Sequence, residues 1–242
     1  MANNNKLTEE IKSPGKIYAI FSKLVRFVNN LLLDYNLSIN YLHFDSALLK
    51  FIKKVRYEHD LGLTTQEAIQ LYQSAKSALK IKGDYAEAGV YKGGSSMIIC
   101  EAKDNRPLHL FDTFAGLPDP KTVDRNSSNF SLSAGEFDVS LDEVKQKLAK
   151  YDQVYFYPGF FPDIASPIKN RKFAFVHLDL DLYQSTKDAL EFFYPRLNKG
   201  GIILTHDFIF RGVSKAFYDF FDKKQESIIR LSTTQGLVIK IS

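Results

Sequence analysis

The chain has 242 residues, 45% hydrophobic and 25% charged, which indicates a globular protein of one large domain or one domain with a modest extra lobe. Its net charge of +4, without a run of Lys and Arg, argues against a nucleic-acid partner, and a single cysteine, Cys100, excludes an intramolecular disulfide. Because no apolar stretch is long enough to span a bilayer and the first residues are polar, we expect a cytoplasmic protein.

Residues 1–80 are predicted to form an N-terminal helical extension or cap. Apolar residues at three- and four-residue spacing predict a first amphipathic helix over residues 17–32, and a second helix is predicted over residues 47–55. A third helix is predicted to begin at Thr64-Thr65-Gln66-Glu67, which has the pattern of a capping box. The first helix carries too few cations for a membrane surface, so we expect these helices to cover a pocket or to form a homodimer contact.

Residues 81–242 are predicted to alternate short strands with helices, which is typical of an α/β fold with a mostly parallel sheet covered on both faces. The predicted strands are 85–90, 108–112, 154–157, 173–180, 201–205, 227–231 and 237–241, and the predicted helices are 95–103, 141–150, 186–197 and 213–221. The last two strands form a hairpin, so at least one strand is antiparallel. Residues 113–140 are long and polar for a connection, and we expect them to form a lid.

The ends of the first two predicted strands carry acidic residues and glycines. Glu87 precedes Gly89, and Gly93-Gly94-Ser95 opens the next helix, where Ser95 is expected to be the cap. Glu87 occupies the place of the first glycine in the dinucleotide fingerprint, and its carboxylate would repel a pyrophosphate but suit an ammonium group. Asp112 ends the second strand, where an acid commonly accepts hydrogen bonds from ribose hydroxyls. A nucleoside that carries an amino acid fits both acids, which predicts S-adenosylmethionine as the cofactor.

A second polar group follows the fourth and fifth predicted strands. If the fourth strand runs far enough, alternation points His177, Asp179 and Asp181 to one side, and His206-Asp207 ends the fifth strand. Because neighbouring parallel strands end at the same edge of a sheet, we expect Asp179, His206 and Asp207 to converge. Two carboxylates and an imidazole are a ligand set for Mg²⁺ or Mn²⁺, although acids at strand ends also cap helices or pair with lysine.

Four motifs resemble the macrocin-type O-methyltransferases, which act on macrolide sugars. They are Glu87-x-Gly89-Val90-x-x-Gly93-Gly94-Ser95, Leu110-Phe111-Asp112-Thr113-Phe114-x-Gly116-Leu117-Pro118, His177-Leu178-Asp179-x-Asp181-Leu182-Tyr183-x-Ser185-Thr186 and Tyr194-Pro195-x-Leu197-x-x-Gly200-Gly201. The resemblance covers about residues 60–240. It implies the doubly wound, seven-stranded methyltransferase fold and transfer of a methyl group from S-adenosylmethionine to a hydroxyl of a sugar or of a macrolide or phenolic natural product, assisted by Mg²⁺.

The resemblance also implies roles for particular residues. The residues that would hold the cofactor are Glu87, Gly89, Gly93, Ser95 and Asp112. The residues that would line its nucleoside are Phe114, Gly116 and Leu117, with Gly159 and Phe160 near the adenine. Asp179 would contact the cofactor, bind the metal and act as general base.

The chain departs from the family pattern after the fifth strand. Where the family usually has two adjacent aspartates, this chain has His206-Asp207, and an imidazole favours a softer cation such as Mn²⁺ over Mg²⁺. A metal-independent methyltransferase with His206 as the base is therefore an alternative. A dinucleotide-dependent oxidoreductase on a similar sheet is another, and Glu87 argues against it.

Overall fold

The computed structural model describes residues 46–124 and 132–242, together with residue 28. The chain divides into two compact units, residues 1–53 and residues 54–242. Helix α1 (Ser46–His59) confirms the second predicted helix and contains the boundary between the units. The first predicted helix, over residues 17–32, lies outside the described residues except for residue 28, and so does the homodimer contact expected of it. The helical extension over residues 1–80 stays a prediction.

Residues 54–242 contain the seven-stranded sheet that the sequence predicts. The strands are β1 (Asp84–Ala88), β2 (Leu108–Asp112), β3 (Val154–Pro158), β4 (Phe173–Leu178), β5 (Leu197–Thr205), β6 (Ile229–Arg230) and β7 (Gly236–Ile239). Their order is β3-β2-β1-β4-β5-β7-β6, with β1 to β5 parallel and β7 antiparallel to both β5 and β6. The winding direction changes between β1 and β4, and open α/β sheets bind ligands at the carboxyl ends of strands at such a point.

Five further helices accompany the sheet in the described residues. They are α2 (Thr65–Ser77), α3 (Gly94–Ala102), α4 (Leu141–Leu148), α5 (Tyr183–Phe193) and α6 (Arg211–Phe221). The capping box at the start of α2 is confirmed, since Thr64 and Glu67 each accept a hydrogen bond from the other's backbone N–H. Within residues 46–124 and 132–242, no helix is both long enough and apolar enough to cross a lipid bilayer.

Helices cover both faces of the sheet. On one face, Phe193 of α5 is fully buried, and its ring centroid lies 5.2 Å from that of Phe173 and 5.9 Å from that of Phe111. On the other face, the Tyr85 hydroxyl of β1 donates to the Ala75 carbonyl of α2 at 2.6 Å. Because both faces are buried, the central strands β1, β2 and β4 are mostly apolar rather than alternating, and the buried polar exceptions are Glu87, His109 and His177. The predicted doubly wound α/β fold is confirmed.

Several predicted boundaries differ from the structure, including those of β1, β5 and β6, and two further differences concern the end of β4 and the helix that follows it. Strand β4 ends at Leu178 rather than at residue 180, because the chain turns there: the Leu182 N–H donates to the Leu180 carbonyl at 2.6 Å, and Asp181 has a left-handed φ of 61°. Asp181 therefore lies in a turn, and the alternation of side chains along a strand does not predict the direction of its side chain. The predicted helix over residues 186–197 runs instead from Tyr183 to Phe193, and Leu197 belongs to β5, where it pairs with Phe173.

Candidate active site

A cavity opens at the carboxyl ends of the parallel strands, where β1 and β4 lie side by side. Nine residues that the sequence singled out line it: Gly89, Asp112, Gly116, Leu117, Gly159, Phe160, Asp179, His206 and Asp207. The same cavity is lined by residues that the sequence did not assign to a site, and these are Gly62, Tyr91, Phe111, Thr113, Pro118, Phe137, Phe161, Leu180, Asp181 and Ser185. The nucleoside group and the polar group predicted from separate strands thus share one cavity.

Gly89 allows the ends of β1 and β4 to lie in contact. Its φ is +86°, and a Cβ at this position would lie 1.7 Å from the carbonyl oxygen of Asp179. The Gly89 N–H donates to the Phe111 carbonyl at 2.9 Å, and the Asp179 N–H donates to the Ala88 carbonyl at 2.8 Å. Only glycine fits this conformation and this separation, so the residue fixes how closely the two strand ends approach.

Asp112 holds the turn that follows β1. Its Oδ2 accepts hydrogen bonds from the backbone N–H groups of Val90 at 2.6 Å and Tyr91 at 2.9 Å, and its Oδ1 accepts one from Phe114 at 2.8 Å. Hydrogen bonds to an ionised acceptor are stronger than neutral ones, which makes this carboxylate the anchor of the cavity wall. A carboxylate has about four acceptor sites, so Asp112 can also accept from a ligand in the cavity.

Four of the predicted cofactor residues, all in the described part of the chain, do not line the cavity. Glu87 is fully buried, accepts a hydrogen bond from the Ser96 hydroxyl, and lies 2.9 Å from Nδ1 of His177. Gly93, with a φ of 81°, is the N-cap of α3, so the expected capping by Ser95 is wrong. Phe114 gives only its backbone N–H to Asp112. Contacts of these residues with a cofactor stay predictions.

The structure brings Asp179, His206 and Asp207 together. A ligand atom of each lies within 4.8 Å of the ligand atoms of the other two. Nδ1 of His206 is 3.2 Å from Oδ1 of Asp179 and 3.0 Å from Oδ2 of Asp207. The His206 backbone N–H donates to the Leu178 carbonyl at 2.9 Å, which places the end of β5 against the end of β4. Two carboxylate oxygens and an imidazole nitrogen at these distances are a donor set that a divalent cation could use.

Burial and charge shift the pKa values of this group in opposite directions. Burial alone would lower the pKa of His206, but the negative charge of Asp179 and hydrogen bonding with the nearby carboxylates outweigh it and raise that pKa far above its usual value. Burial alone would raise the pKa of Asp179, and the positive charge of His206 outweighs it and lowers that pKa. The imidazolium and the carboxylate therefore stabilise each other's charged forms.

Two residues near this group were missed as site residues. Asp181 lines the cavity, and burial, followed by the charges of Asp179 and Asp207, raises its pKa well above the usual value. Its position in the third motif was a signal, but the turn that places it could not be predicted from strand alternation. Glu67 of α2 lies 3.6 Å from Nε2 of His206, and the sequence showed it only as a capping residue.

The two described parts of the predicted lid, residues 113–124 and 132–140, are joined beside the cavity, and residues 125–131 between them lie outside the described residues. The Leu117 N–H donates to the Glu136 carbonyl at 2.8 Å, and the Gly135 N–H donates to the Leu117 carbonyl at 2.9 Å. Phe137 lies with its ring centroid 5.5 Å from that of Tyr91 in an edge-to-face arrangement. Backbone hydrogen bonds thus join the two parts of the segment to each other, and the Phe137 ring contacts Tyr91 at the cavity.

Asp124 connects the first part of this segment to the start of α5. Its Oδ1 accepts a hydrogen bond from the Tyr183 N–H at 2.7 Å, and its Oδ2 accepts one from the Lys121 N–H at 2.8 Å. The residue at the N-cap position of α5, Leu182, has no side chain that can accept. A carboxylate 59 residues earlier in the chain therefore caps this helix.

The chain is similar to known proteins over most of its length. The family described as macrocin-O-methyltransferase (TylF) matches residues 65–233. The 8-demethyl-8-(2,3-dimethoxy-alpha-L-rhamnosyl)-tetracenomycin-C 4'-O-methyltransferase of Streptomyces olivaceus is 32% identical over 173 residues, 66% of this chain and 66% of that protein. The mycinamicin III 3''-O-methyltransferase of Micromonospora griseorubida is 29% identical over 170 residues, 63% of this chain and 66% of that protein. The chain thus spans about two thirds of each of these relatives.

Among solved structures, the O-methyltransferase NovP superposes on the chain with a TM-score of 0.66 at 22% identity, covering 93% of this chain and 99% of that one. The calicheamicin methyltransferase CalS11 superposes with a TM-score of 0.63 at 17% identity, covering 99% of this chain and 98% of that one. At these identities the superpositions establish a shared fold.

Replacing Asp124 with alanine should loosen the start of α5 and the segment that precedes residue 125. We expect Asp124→Ala to lower the free energy of unfolding by about 1–2 kcal/mol, because two backbone N–H groups lose their acceptor. Hydrogen exchange at the amides of Lys121 and Tyr183 should become faster. Asp188→Ala is the control, since this residue of α5 accepts only from the exposed Gln184 side chain and should change stability by less than about 0.5 kcal/mol. Equal losses in the two variants would contradict this role.

Proposed function

The chain belongs to the macrocin-O-methyltransferase (TylF) family, and on that premise we propose that it transfers a methyl group from S-adenosylmethionine to a hydroxyl of a sugar or another natural product. The single observation that carries the proposal is the shared cavity, in which Asp112 stands at the end of β2 and Asp179, His206 and Asp207 stand at the ends of β4 and β5. Asp112, which can accept a hydrogen bond from a ribose hydroxyl, thus faces the same cavity as residues that can take a proton from an acceptor hydroxyl. The similarity to O-methyltransferases that act on tetracenomycin and mycinamicin compounds supports this proposal.

The cofactor lies, in this proposal, across the ends of β1 and β2. Asp112 accepts from its ribose, and the absence of a side chain at Gly89 lets the backbone approach it. Gly159 and Phe160, which follow β3, border the adenine on the far side of the cavity. S-adenosylmethionine supplies an electrophilic methyl group at a sulfonium, and holding the acceptor oxygen in line with that methyl can lower the barrier by up to ~7–11 kcal/mol.

The acceptor lies near the aromatic residues of the cavity. Phe137 is 43% exposed and Phe160 is 56% exposed, and both line the cavity together with Tyr91. Flat apolar rings that remain exposed at a cavity suit the apolar face of a sugar or an aromatic ring. Residues 113–140 serve as a lid that excludes water around the acceptor.

Asp179, His206 and Asp207 would hold a divalent cation. They fit one, because two carboxylate oxygens and an imidazole nitrogen converge beside the cavity. The imidazole makes the donor set better suited to Mn²⁺ than to Mg²⁺. When bound, such a cation supplies positive charge that stabilises a deprotonated hydroxyl.

Asp179 is the proposed general base. Its side chain is 24% exposed and lines the cavity, so an acceptor hydroxyl can reach it. In the protein without a bound cation, the positive charge of His206 lowers the pKa of Asp179, so the carboxylate is ionised and can accept a proton. A positioned base of this kind typically contributes a factor of about 10²–10⁴ to the rate.

Asp112→Ala should weaken cofactor binding. We expect the dissociation constant of S-adenosylhomocysteine, measured by calorimetry, to rise at least ~10-fold, because hydrogen bonds to a charged acceptor contribute about 1.5–3 kcal/mol. Asp142→Ala is the control, since that side chain is 93% exposed. NAD should give no saturable heat with either protein, whereas binding of NAD would favour the oxidoreductase alternative. An unchanged affinity in Asp112→Ala would contradict the ribose contact.

Asp179→Asn should stop turnover while leaving cofactor affinity largely intact, because an amide cannot accept the hydroxyl proton. We expect the rate of S-adenosylhomocysteine release, measured by mass spectrometry with glycosylated and phenolic acceptors, to fall about 10²–10⁴-fold. Asp188→Asn on the exposed side of α5 is the control. A fully active Asp179→Asn variant would exclude this residue as the base.

Removal of divalent cations should suppress the same release of S-adenosylhomocysteine. We expect activity to fall after treatment with EDTA and dialysis, and to return with Mn²⁺ at lower concentrations than with Mg²⁺, since one ligand is an imidazole. Addition of Ca²⁺ to the metal-free enzyme is the control, because it shows how much of the recovered activity comes from divalent charge alone. Turnover that is indifferent to EDTA would contradict the metal and favour His206 as the base.

A further inference from the structure

Glu67 is a buried carboxylate on the side of His206 that does not face Asp179 and Asp207. Its Oε2 lies 3.6 Å from Nε2 of His206, and its side chain is 4% exposed. The other ring nitrogen, Nδ1, lies within 3.2 Å of both aspartates. His206 therefore has carboxylates at both of its nitrogens, and only those at Nδ1 line the cavity.

Four hydrogen bonds hold the Glu67 carboxylate in place. Oε2 accepts from the backbone N–H and the hydroxyl of Thr64, both at 2.8 Å. Oε1 accepts from the hydroxyl of Thr234 at 2.6 Å and from its backbone N–H at 3.3 Å. Thr64 precedes α2 and Thr234 precedes β7, so the carboxylate is fixed from two separate parts of the fold and cannot rotate away from the imidazole.

The capping function does not require a charge at Glu67. A capping box accepts Gln as well as Glu at this position, and a buried carboxylate is costly unless it is compensated. All four hydrogen-bond donors to Glu67 are neutral groups, and the described ion pair that it forms is with His206. Pairing with the His206 imidazole is thus the interaction for which Glu at position 67 is better suited than Gln.

We propose that Glu67 is a positioning residue for His206: its carboxylate, 3.6 Å from Nε2, stabilises the proton on that nitrogen and so leaves Nδ1, with its lone pair, to bind a divalent cation with Asp179 and Asp207. This inference rests on the metal site of the proposed function. A histidine that binds a metal commonly donates its other N–H to a carboxylate, which fixes the tautomer and the orientation of the ring. A carboxylate ligand has no second ring nitrogen that needs a partner, whereas the imidazole of His206 does.

A double-mutant cycle on the full chain tests the inference, with the dissociation constant of Mn²⁺ measured by calorimetry. We expect Glu67→Gln to weaken Mn²⁺ binding about 10–100-fold, the loss typical of removing a carboxylate behind a metal-binding histidine. In the background of His206→Asp, which restores two adjacent aspartates, the same substitution should leave the affinity unchanged or improve it, because there is no ring to orient. Circular dichroism verifies that each variant is folded.

The outcomes separate this inference from the proposed function. If the wild type binds Mn²⁺ and Glu67→Gln weakens binding equally in both backgrounds, Glu67 acts only through the fold and the inference is overturned alone. If the wild type does not bind Mn²⁺, both the inference and the metal of the proposed function are overturned, while methyl transfer is tested separately by its product.

A second measurement does not depend on the folding of any variant. In the wild type loaded with Mg²⁺ and labelled with ¹⁵N-histidine, long-range ¹H–¹⁵N spectra report which ring nitrogen of His206 carries the proton. We expect the proton on Nε2, facing Glu67. A proton on Nδ1 would overturn the inference.

Discussion

The close passage of two strand ends is the constraint on which the site depends. β1 and β4 meet where a glycine with a left-handed backbone, Gly89, lies against the carbonyl of Asp179. This contact brings the turn after β1, fixed by Asp112, next to the end of β4 and, through the Leu178 carbonyl, next to His206 of β5. Side chains that follow β1, β2, β4 and β5 reach one cavity because these strand ends lie so close together. This close approach requires glycine at position 89, since a Cβ there would collide with the Asp179 carbonyl.

The charges of the site are arranged around one imidazole. Asp179, Asp181, Asp207 and Glu67 all lie near His206, and like charges at such distances cannot all ionise without a compensating cation. In the protein alone, positively charged His206 provides that compensation, since the carboxylates raise its pKa far above the usual value, while burial and the charges of Asp179 and Asp207 raise the pKa of Asp181. A divalent cation in the cavity would compensate the same negative charges. The acidic group therefore fits the protein both without and with a bound cation.

Much of the fold could be predicted because its signals are local. Apolar runs gave the central strands, and the sequence Thr64 to Glu67 gave the start of α2. What could not be predicted depends on contacts between distant residues. Ser95 looked like a cap, but the turn at Gly93 starts the helix earlier. The contacts of Glu87 with the Ser96 hydroxyl and with His177 could not be predicted either, because no periodicity reveals such partners.

The pairing of Glu67 with Thr234 has a consequence for how the protein is made. The two residues are 167 positions apart, so a ribosome has released nearly all of the described chain before the hairpin can reach α2. Until then the Glu67 carboxylate stays hydrated, and Nε2 of His206 lacks the neighbour that Thr234 helps to hold in place. Contacts between such distant residues form late and slowly. A segment synthesised long after α2 therefore completes the surroundings of Glu67.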